Sequence, residues 1–315
     1  MIKQRTLIIG DSGYIGSHIA DSLGTSVEIV GLSRSGNKYA NYSRIVGDIT
    51  CDKIFYSIDF GHFDTILYCA GLSPLEGLNN PIIDHSNTVE VIGKIVERLK
   101  KNASKTKMLY FCSRYVYGNI NQQKVTEQQM IRSAHTYGQY RYQVLQQIER
   151  AKIKNNINLI ALIIPGVYGW NNGSTIHKKG TINTLINQAI LSRDITLFPT
   201  ARYLRSLLNI NDLVSAVKLI VEKDCFLSHP IYNLGGDETS SIETIATYLQ
   251  KVFPAVNIRW SETPSHYLEL EKGDFTLSSE RFCKEFGWKA KHYIKEEVVK
   301  LLSPKNRQAS YKLCK

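Results

Sequence analysis

Short apolar runs alternate with longer amphipathic segments through the first half of the chain. Each run is apolar at successive positions, as expected of parallel strands buried on both faces: TLIIG, VEIVGL, TILYCAG, KMLYFCS and NLIALII. Between them, apolar residues recur at helical spacing over 14–23, 80–101 and 136–154, which predicts helices there. Strand and helix repeated in this order predict an α/β fold with a doubly wound parallel sheet.

A looser pattern begins after about residue 166. A polar, Gly-rich segment, GWNNGSTIHKKGT, is followed by short strand candidates and by helix candidates at 181–192, 211–223 and 241–252. We interpret residues 1–165 as one domain and residues 166–315 as a smaller C-terminal α/β substrate lobe. Residues 204–235 are expected to return to the first domain.

The chain carries a formal charge of +11, from 39 Lys and Arg against 28 Asp and Glu. This excess favours an anionic partner, unless it only solvates a basic surface. The densest basic stretch, ERLKKNASKTK, lacks the interleaved aromatic residues of a nucleic-acid platform. The longest apolar stretch, LIALIIPGVYGW, is shorter than the roughly 18 residues of a membrane span. We therefore predict no nucleic-acid partner and no membrane partner, and favour a phosphorylated small molecule.

Cysteine and histidine are placed as in a reduced protein without a metal site. The six cysteines form no CxxC motif, and the eight histidines show no metal-ligand spacing. The apolar run near the N-terminus is too short for a signal peptide. These features predict a cytoplasmic protein with free thiols and no bound metal.

Three glycines follow the first predicted strand, in the sequence TLIIGDSGYIGSHIADSL. Gly10 allows a tight turn, Gly13 lets the backbone approach a pyrophosphate, and Gly16 permits close packing of the next helix on the strand. The N-terminus of that helix supplies N–H donors for the phosphates. Because a strand precedes the glycines and a helix follows them, this segment predicts a dinucleotide-binding loop.

The residues after the second predicted strand bear on which dinucleotide is bound. An Asp or Glu at this place usually binds the ribose hydroxyls of a cofactor without a 2′-phosphate. The chain has Ser33 and Arg34 there, and Arg suits a phosphate, so we expect NADP, with NAD as the alternative. After the third strand, Asp48 is placed to accept a hydrogen bond from the adenine amino group. After the fourth, the small residues Ala70 and Gly71 suit a wall against the cofactor.

In their order and spacing, these and later motifs resemble the extended short-chain dehydrogenase/reductase family, the NAD(P)-dependent nucleotide-sugar epimerases, dehydratases and reductases. The resemblance runs from about residue 5 to about residue 290. It rests on GDSGYIG, GDIT, YCAG, CSRYVYG, TYGQYR, PGVYG, LRSLLNINDLVSA, YNLGG and FGW. It implies a Rossmann-type sheet, an NAD(P) cofactor and a nucleotide-sugar substrate.

The resemblance also implies a catalytic set. In this family a Ser or Thr, a Tyr and a Lys form the site, and the matching residues are Ser113, Tyr137 and, in place of Lys, Arg141. A tyrosine ionises near pH ~10, so it needs a nearby cation to act as acid or base near neutrality. Positions four apart on a helix share a face. We therefore expect Arg141 to favour the Tyr137 phenolate and to contact the cofactor ribose.

The loop and the resemblance together assign a larger set of residues to the cofactor: Gly10, Ser12, Gly13, Tyr14, Ile15, Gly16, Ser33, Arg34, Asp48, Ile49, Cys69, Ala70, Gly71, Asn87, Tyr137, Arg141 and Pro165. For the substrate, the resemblance assigns Ser113, and it assigns Arg205 as a ligand of the nucleotide diphosphate. Two other diphosphate ligands of the family are not matched, since Gly166 replaces an Asn and no Arg precedes the Gly-Asp pair of LELEKGD. Either Lys178, Lys179 or Lys272 replaces them, or the substrate is not a nucleotide sugar.

The segment SRYVYG bears on the reaction. The family's 4,6-dehydratases carry Asp and Glu directly after the Ser or Thr, whereas this chain has Arg114 and Tyr115. We therefore expect no elimination of water. We predict hydride transfer at a sugar carbon, C4 of a nucleotide-activated sugar, with Tyr137 as acid/base, and leave reduction, oxidation and epimerisation open. The alternative is a catalytically impaired NAD(P)-binding regulator or scaffold of the same fold, which the Arg in place of Lys favours.

The resemblance further implies an assembly. In that family the helices at about 80–101 and 136–154 pair across a two-fold axis in a four-helix bundle. Both segments here, VEVIGKIVERL and YQVLQQIERAKI, carry apolar positions beyond one core face. We therefore expect a homodimer through such a bundle.

Overall fold

The computed structural model describes residues 4–301 apart from positions 25, 36–40, 102–104, 119, 132, 171–179, 192–193 and 224–225. Within these ranges the strands are β1 (Arg5–Ile9), β2 (Glu28–Ser33), β3 (Ser43–Val46), β4 (Thr65–Tyr68), β5 (Lys107–Ser113), β6 (Gln122–Val125), β7 (Leu159–Ile164), β8 (Val167–Tyr168), β9 (Ile195–Leu197), β10 (Leu204–Asn209), β11 (Ile231–Asn233), β12 (Glu238–Ser241), β13 (Ile258–Trp260) and β14 (Phe275–Leu277).

The helices over the same ranges are α1 (Tyr14–Leu23), α2 (Asp52–Tyr56), α3 (Pro74–Asn79), α4 (Pro81–His85), α5 (Val91–Lys101), α6 (Thr136–Asn155), α7 (Thr181–Ile190), α8 (Ile210–Glu222), α9 (Ile242–Val252), α10 (Ser265–Leu270), α11 (Glu280–Phe286) and α12 (Ile294–Leu301). Short 3₁₀ turns cover Phe60–His62, Arg114–Tyr117 and Pro199–Arg202, and a π-helical turn covers Ser86–Glu90. Among the residues described, none of the helices has the length and apolar content of a membrane span.

A seven-stranded sheet forms the centre of the first of two compact units, in the order β11-β7-β5-β4-β1-β2-β3. β1 pairs in parallel with β2 and β4, β2 with β3, and β4 with β5. Strands β4 and β7 are buried at every position, as their unbroken apolar sequences predict. The predicted doubly wound parallel sheet is confirmed. The chain order reverses between β1 and β4, and in such sheets ligands bind at the carboxyl ends of the strands at this point.

The second unit contains a five-stranded sheet in the order β12-β10-β14-β6, with β8 also paired to β10. Strand β10 runs antiparallel to β12 and parallel to β14 and β8. A separate parallel pair joins β13 and β9. Apolar side chains of α7, α9 and α12, among them Ile186, Ala246 and Val298, form the core of this unit.

The limits of the two units differ from the predicted ones in two segments. Strand β10 was expected to return to the first domain, but it is an inner strand of the second sheet, so only Val217–Tyr232 of that stretch belongs to the first unit. Residues Asn119–Gln129, expected in the first domain, belong to the second unit because β6 pairs with β14. Partners this far apart in sequence leave no local pattern from which the pairing can be predicted.

The predicted helix over 80–101 is helical from Pro81 to Lys101 but not regular. It divides into α4, the π-helical turn Ser86–Glu90 and α5. At the turn the buried Thr88 hydroxyl donates to the Asp84 carbonyl at 2.5 Å, so a side chain supplements the backbone bonds where the helix widens. This irregular stretch places Asp84 on the buried side of α4.

Candidate active site

The carboxyl ends of β1, β4 and β5 gather most of the residues that were predicted to bind the cofactor. The glycine-rich loop follows β1, residues 69–71 follow β4, and Ser113 ends β5. Because β4 pairs with both β1 and β5, these strand ends lie side by side. One edge of the first unit's sheet thus carries the loop, the predicted cofactor wall and the predicted catalytic serine.

Backbone crowding explains the glycines of the loop. Gly10 has a φ of +91°, and a Cβ there would lie 2.8 Å from the Ala70 amide nitrogen. A Cβ at Gly16 would lie 2.3 Å from the Gly10 carbonyl oxygen. Gly13 is the N-cap of α1, and no side chain caps that helix. The first N–H groups of α1 therefore lack a capping side chain, an arrangement that fits the phosphates of a dinucleotide.

A buried ion pair, which the sequence analysis did not predict, ties this loop to the neighbouring strands. Asp11 has no exposed surface, and its two carboxylate oxygens accept hydrogen bonds from Arg44 on β3 at 2.7 and 3.0 Å. Tyr42 donates to the same carboxylate at 3.0 Å, and Arg44 also donates to the Ser33 hydroxyl at 2.6 Å. Gly31 leaves the space for this contact, because a Cβ there would lie 2.2 Å from an Asp11 carboxylate oxygen.

The residues predicted for the cofactor outside the three glycines differ in how far they are exposed to solvent. Arg34 is exposed just past β2, and Asp48 is half-buried, with one carboxylate oxygen bonded to the Thr50 amide and hydroxyl. Burial raises the pKa of the Cys69 thiol, which keeps it neutral. Of the remaining residues in the first unit, one is buried, Ile49, and the rest are exposed or half-buried: Ser12, Tyr14, Ile15, Ala70, Gly71 and Asn87.

Tyr137 lies in the first turn of α6 and is brought to the same edge of the sheet. His135 caps this helix, since its Nδ1 accepts a hydrogen bond from the Gly138 amide at 3.1 Å. Tyr137 is 5% exposed, and its hydroxyl lies 3.5 Å from the carbonyl oxygen of Leu72, just after β4. The Ser113 hydroxyl lies close enough to the phenol to lower its pKa. The serine and tyrosine of the predicted catalytic set thus lie together.

Arg141, one turn further along α6, is held by an acid that the sequence analysis missed. Its guanidinium donates to both carboxylate oxygens of Asp84, one bond measuring 2.8 Å, and its central carbon lies 3.5 Å from the centroid of the Tyr137 ring. Asp84 has no exposed surface, and Arg141 is 3% exposed. Removing one partner of such a pair costs about 3–5 kcal/mol, because the other charge stays buried. The sequence does contain a sign of this partner, because Asp84 is an acid at helical spacing from Thr88 and Val91, on a face that is buried.

Opposing effects act on the ionisation of Tyr137. Burial raises the pKa of the phenol, the Arg141 guanidinium lowers it, the Asp84 carboxylate raises it, and a hydrogen bond from Ser113 lowers it. The net direction is upward, so the phenol is protonated near neutral pH. Arg141 acts in the predicted direction, but burial outweighs it and Asp84 opposes it. The contact of Arg141 with a cofactor ribose stays a prediction.

Of the residues predicted for the substrate, Ser113 lies in the first unit and Arg205 in the second. Arg205 on β10 donates to the Thr200 carbonyl at 2.9 Å and to the Glu271 carboxylate. Glu271 stands two residues before the Gly-Asp pair of LELEKGD, where no Arg was found, and it neutralises the charge expected to bind a diphosphate. Pro165, assigned to the cofactor, is a buried residue of the second unit, and Lys178 lies outside the described residues.

In the described part of the chain, no three His, Cys, Asp or Glu side chains are grouped as a metal ion requires.

One family model and several known proteins match this chain. The model of the NAD dependent epimerase/dehydratase family matches residues 6–235. A UDP-glucose 4-epimerase of Cyamopsis tetragonoloba is 25% identical over 336 residues, which cover 92% of this chain and 91% of that protein.

Solved structures share the fold along nearly the whole chain. The L-threonine dehydrogenase of Clostridium difficile has a TM-score of 0.83 at 17% identity, covering 98% of this chain and 99% of that one. The UDP-glucuronic acid 4-epimerase of Bacillus cereus, solved with UDP-glucuronic acid and NAD, has a TM-score of 0.81 at 16% identity, covering 98% of this chain and 100% of that one. At these identities the likeness establishes the fold alone.

Replacing Gly16 by Ala is expected to weaken dinucleotide binding by roughly tenfold or more, since overpacking of this kind costs about 1–3 kcal/mol. The new methyl group would meet the Gly10 carbonyl oxygen at 2.3 Å and force the loop away from α1. Gly24→Ala is the matched control at the end of the same helix, where the new carbon would lie 3.3 Å from the Ala20 carbonyl oxygen. Calorimetric titration with NAD(H) and NADP(H), on variants whose folding is verified by thermal unfolding, measures the effect. Parent-like binding by Gly16→Ala would place the cofactor elsewhere.

Proposed function

The chain belongs to the NAD-dependent epimerase/dehydratase family, and from this premise we propose that it transfers a hydride at C4 of a nucleotide-activated sugar, with NAD(P) as cofactor. The observation that carries the proposal is the placing of Tyr137 and Ser113 together at the edge of the sheet that also bears the glycine-rich loop. A phenol and a hydroxyl beside a dinucleotide-binding loop are suited to exchange a proton with a carbinol oxygen.

Each side chain has a defined part in this reaction. When bound, NAD(P) would supply the nicotinamide that accepts or donates the hydride. Ser113 donates a hydrogen bond to the substrate oxygen and orients it toward Tyr137. The Tyr137 oxygen takes the proton when a carbinol is oxidised and returns it when a ketone is reduced. Because the Tyr137 pKa is raised, the proton-donating step is favoured near neutral pH, and the oxidative step, which needs the phenolate, becomes faster as the pH rises.

We further propose that the enzyme is not a 4,6-dehydratase. Elimination of water needs an acid and a base beside the sugar, and the two positions after Ser113 hold Arg114 and Tyr115. The Arg114 guanidinium carbon lies 4.4 Å from the centroid of the Tyr115 ring. That ring in turn meets the Tyr137 ring edge-on, with 6.2 Å between centroids. A cationic and an aromatic side chain thus occupy the positions where a dehydratase needs carboxylates.

Two substrate classes are supported by different observations. A nucleotide sugar is supported by relatives named as UDP-glucose 4-epimerases and by Arg205, the residue expected to bind the diphosphate. The pairing of Arg205 with Glu271 favours a second candidate, a hydroxyl substrate without a diphosphate, such as the amino acid in the name of the threonine dehydrogenase neighbour. Absorbance of the reduced nicotinamide, recorded with UDP-sugars and with L-threonine in turn, separates the two candidates.

We place this enzyme in the cytoplasm as part of the proposal. Cys51, Cys69, Cys112 and Cys283 are free thiols, as a reducing compartment favours. The formal charge of +11 suits an anionic cofactor and an anionic substrate better than a cationic one.

Tyr137→Phe is expected to remove nearly all hydride transfer and to leave cofactor binding almost intact, because it deletes only the oxygen that carries the proton. Single-turnover absorbance of the nicotinamide measures transfer, and calorimetry measures binding. Tyr248→Phe serves as a control, since that hydroxyl donates to a backbone carbonyl in the second unit at 3.1 Å. If Tyr137→Phe turns over like the parent, the proposed site is wrong, and a cofactor-binding regulator or scaffold of the same fold becomes the better description.

NADP is the proposed cofactor. NAD is the alternative, since the Bacillus cereus epimerase of similar fold was solved with NAD. The loop carboxylate, Asp11, is neutralised by Arg44, and the exposed Arg34 stands where an acid would bind the ribose of NAD. Arg34→Ala should weaken NADP(H) binding by roughly tenfold, the value of one charged hydrogen bond, and leave NAD(H) binding unchanged. Arg150→Ala, an exposed arginine on α6, is the control. Tighter NAD(H) binding that Arg34→Ala does not alter would contradict the NADP assignment.

The homodimer is proposed on a narrower basis than the one that the sequence suggested. Most of the apolar residues that suggested it are buried within the chain itself, among them Val91, Ile92, Ile95, Val144 and Ile148. Of that set Ile153, near the end of α6, is 79% exposed, and at the start of the other segment Ile82 is 84% and Ile83 is 51% exposed. We propose a homodimer through a four-helix contact of 80–101 and 136–154 in which these isoleucines are covered.

Ile82→Asp is expected to convert such a dimer to monomers, because a carboxylate would have to be buried at the contact. Light scattering at micromolar concentration measures the mass. Val46→Asp introduces the same charge at a residue of β3 that is 61% exposed, and should leave the mass unchanged. A parent protein that is monomeric at this concentration would remove the dimer from the proposal.

A further inference from the structure

Side chains and backbone from three helices meet at one buried charge pair beside the proposed acid/base. Asp84 comes from α4, whereas Arg141 and Tyr137 come from α6. Gly77 of α3 closes the space: a Cβ there would lie 2.6 Å from a Tyr137 ring carbon and 3.1 Å from the Asp84 carboxylate carbon. There is no room for one further methyl group, so carboxylate, guanidinium and phenol ring hold one another in place.

We propose that Asp84 is a positioning residue for the site, and that its carboxylate holds the Arg141 guanidinium against the Tyr137 ring and cancels its charge. The inference rests on the proposed function, in which Tyr137 is the acid/base. Its consequence is that the tyrosine works beside a charge pair with no net charge, instead of beside an uncompensated cation.

The geometry explains why position 141 holds Arg. A guanidinium offers parallel N–H groups to both oxygens of one carboxylate, and its flat face stacks on an aromatic ring. Arg141 makes both contacts at once, with Asp84 and with the Tyr137 ring. A lysine ammonium is a point charge that cannot meet both demands in this way. Arg141 and Asp84 are therefore one unit, and the Arg is explained by its acid partner.

Two ionisable groups on β5 face Tyr137 and are neutral near pH 7. Burial raises the pKa of Tyr110 well above its ordinary value. Burial also raises the pKa of the Cys112 thiol to about 12. Neither group therefore adds a charge to the surroundings of the phenol.

The remaining titratable and charged neighbours belong to the turn after β5 and to the start of α6. Tyr115 and His135 present rings to Tyr137, at 6.2 and 6.4 Å between centroids. His135 accepts a hydrogen bond from the Gly138 amide through Nδ1, so that nitrogen carries no proton. Arg114 stacks on the Tyr115 ring. The charges that act directly on the phenol are thus those of the Asp84–Arg141 pair.

The test changes these charges and reads the protonation of Tyr137. Asp84→Asn leaves the guanidinium uncompensated and should lower the midpoint pH of phenol ionisation by roughly one to two units. Asp84→Asn/Arg141→Met removes both charges and should return the midpoint to within about half a unit of the parent. Glu90→Gln makes the same carboxylate-to-amide change at an exposed residue of the adjoining helical turn, and should leave the midpoint unchanged.

Two readouts follow each variant. Ultraviolet absorbance of the phenolate, taken as the difference from the same protein carrying Tyr137→Phe, reports the ionisation without requiring activity. The pH profile of single-turnover hydride transfer reports it through the reaction, and its acid limb should move by the same amount. A purely structural role for Asp84 would lower thermal stability without moving either midpoint.

The outcomes separate the inference from the proposed function. An unmoved absorbance midpoint in Asp84→Asn overturns the inference, as does a double variant whose midpoint differs from the parent by more than about one unit. If Asp84→Asn does not fold, the double variant alone decides by that criterion. If the midpoints move as expected but the parent transfers no hydride to any substrate, the positioning role of Asp84 stands and the proposed function fails.

Discussion

The close approach of two backbones at the ends of β1 and β4 is the constraint on which the rest of the first unit depends. The turn at Gly10, with its positive φ, brings the chain against the Cys69–Ala70 peptide, and Gly16 then lets α1 start directly over the Gly10 carbonyl. The helix is thereby aimed with its N-terminus at the edge where the chain order reverses. The Asp11–Arg44 pair fixes the loop to β3 from within, so contacts of the protein itself hold the loop in this conformation.

A second constraint operates at Tyr137, where burial raises the pKa of the phenol and the Arg141 charge lowers it. Burying two ions costs several kcal/mol each unless the geometry of the pair is excellent. Here both carboxylate oxygens are bonded, and the guanidinium also covers an aromatic face. We infer that the pair serves to define one position for the phenol, since two apolar side chains would fill the same space without the cost of desolvation. On this inference, Tyr137 gains a defined position and lacks the strong electrostatic activation that a lone cation would provide.

The sequence predicted the parts of the fold that have local signatures. Five apolar runs marked strands of the first sheet, and the glycines marked the loop, because burial on both faces and tight turns each restrict residue type at neighbouring positions. The spacing of Tyr137 and Arg141 placed both on one helix face. The partners were missed: Asp84 for Arg141, Glu271 for Arg205, and β14 for β6. Each of these contacts joins residues more than fifty positions apart, and only the misplaced acid within an apolar helix face pointed toward one of them.

The division of the chain between two units has a consequence for its synthesis. Strand β11 completes the edge of the first sheet beside β7. It is translated only after Ile164–Ala216, a long segment of the second unit. Translation proceeds at about 5–20 residues per second, so the roughly 70 residues between these strands take roughly 3–14 s to emerge. Throughout that interval the backbone of β7 has an unpaired edge on the ribosome, of the kind that pairs readily with other chains. We therefore expect self-association through this edge to be a hazard of synthesis until β11 has emerged.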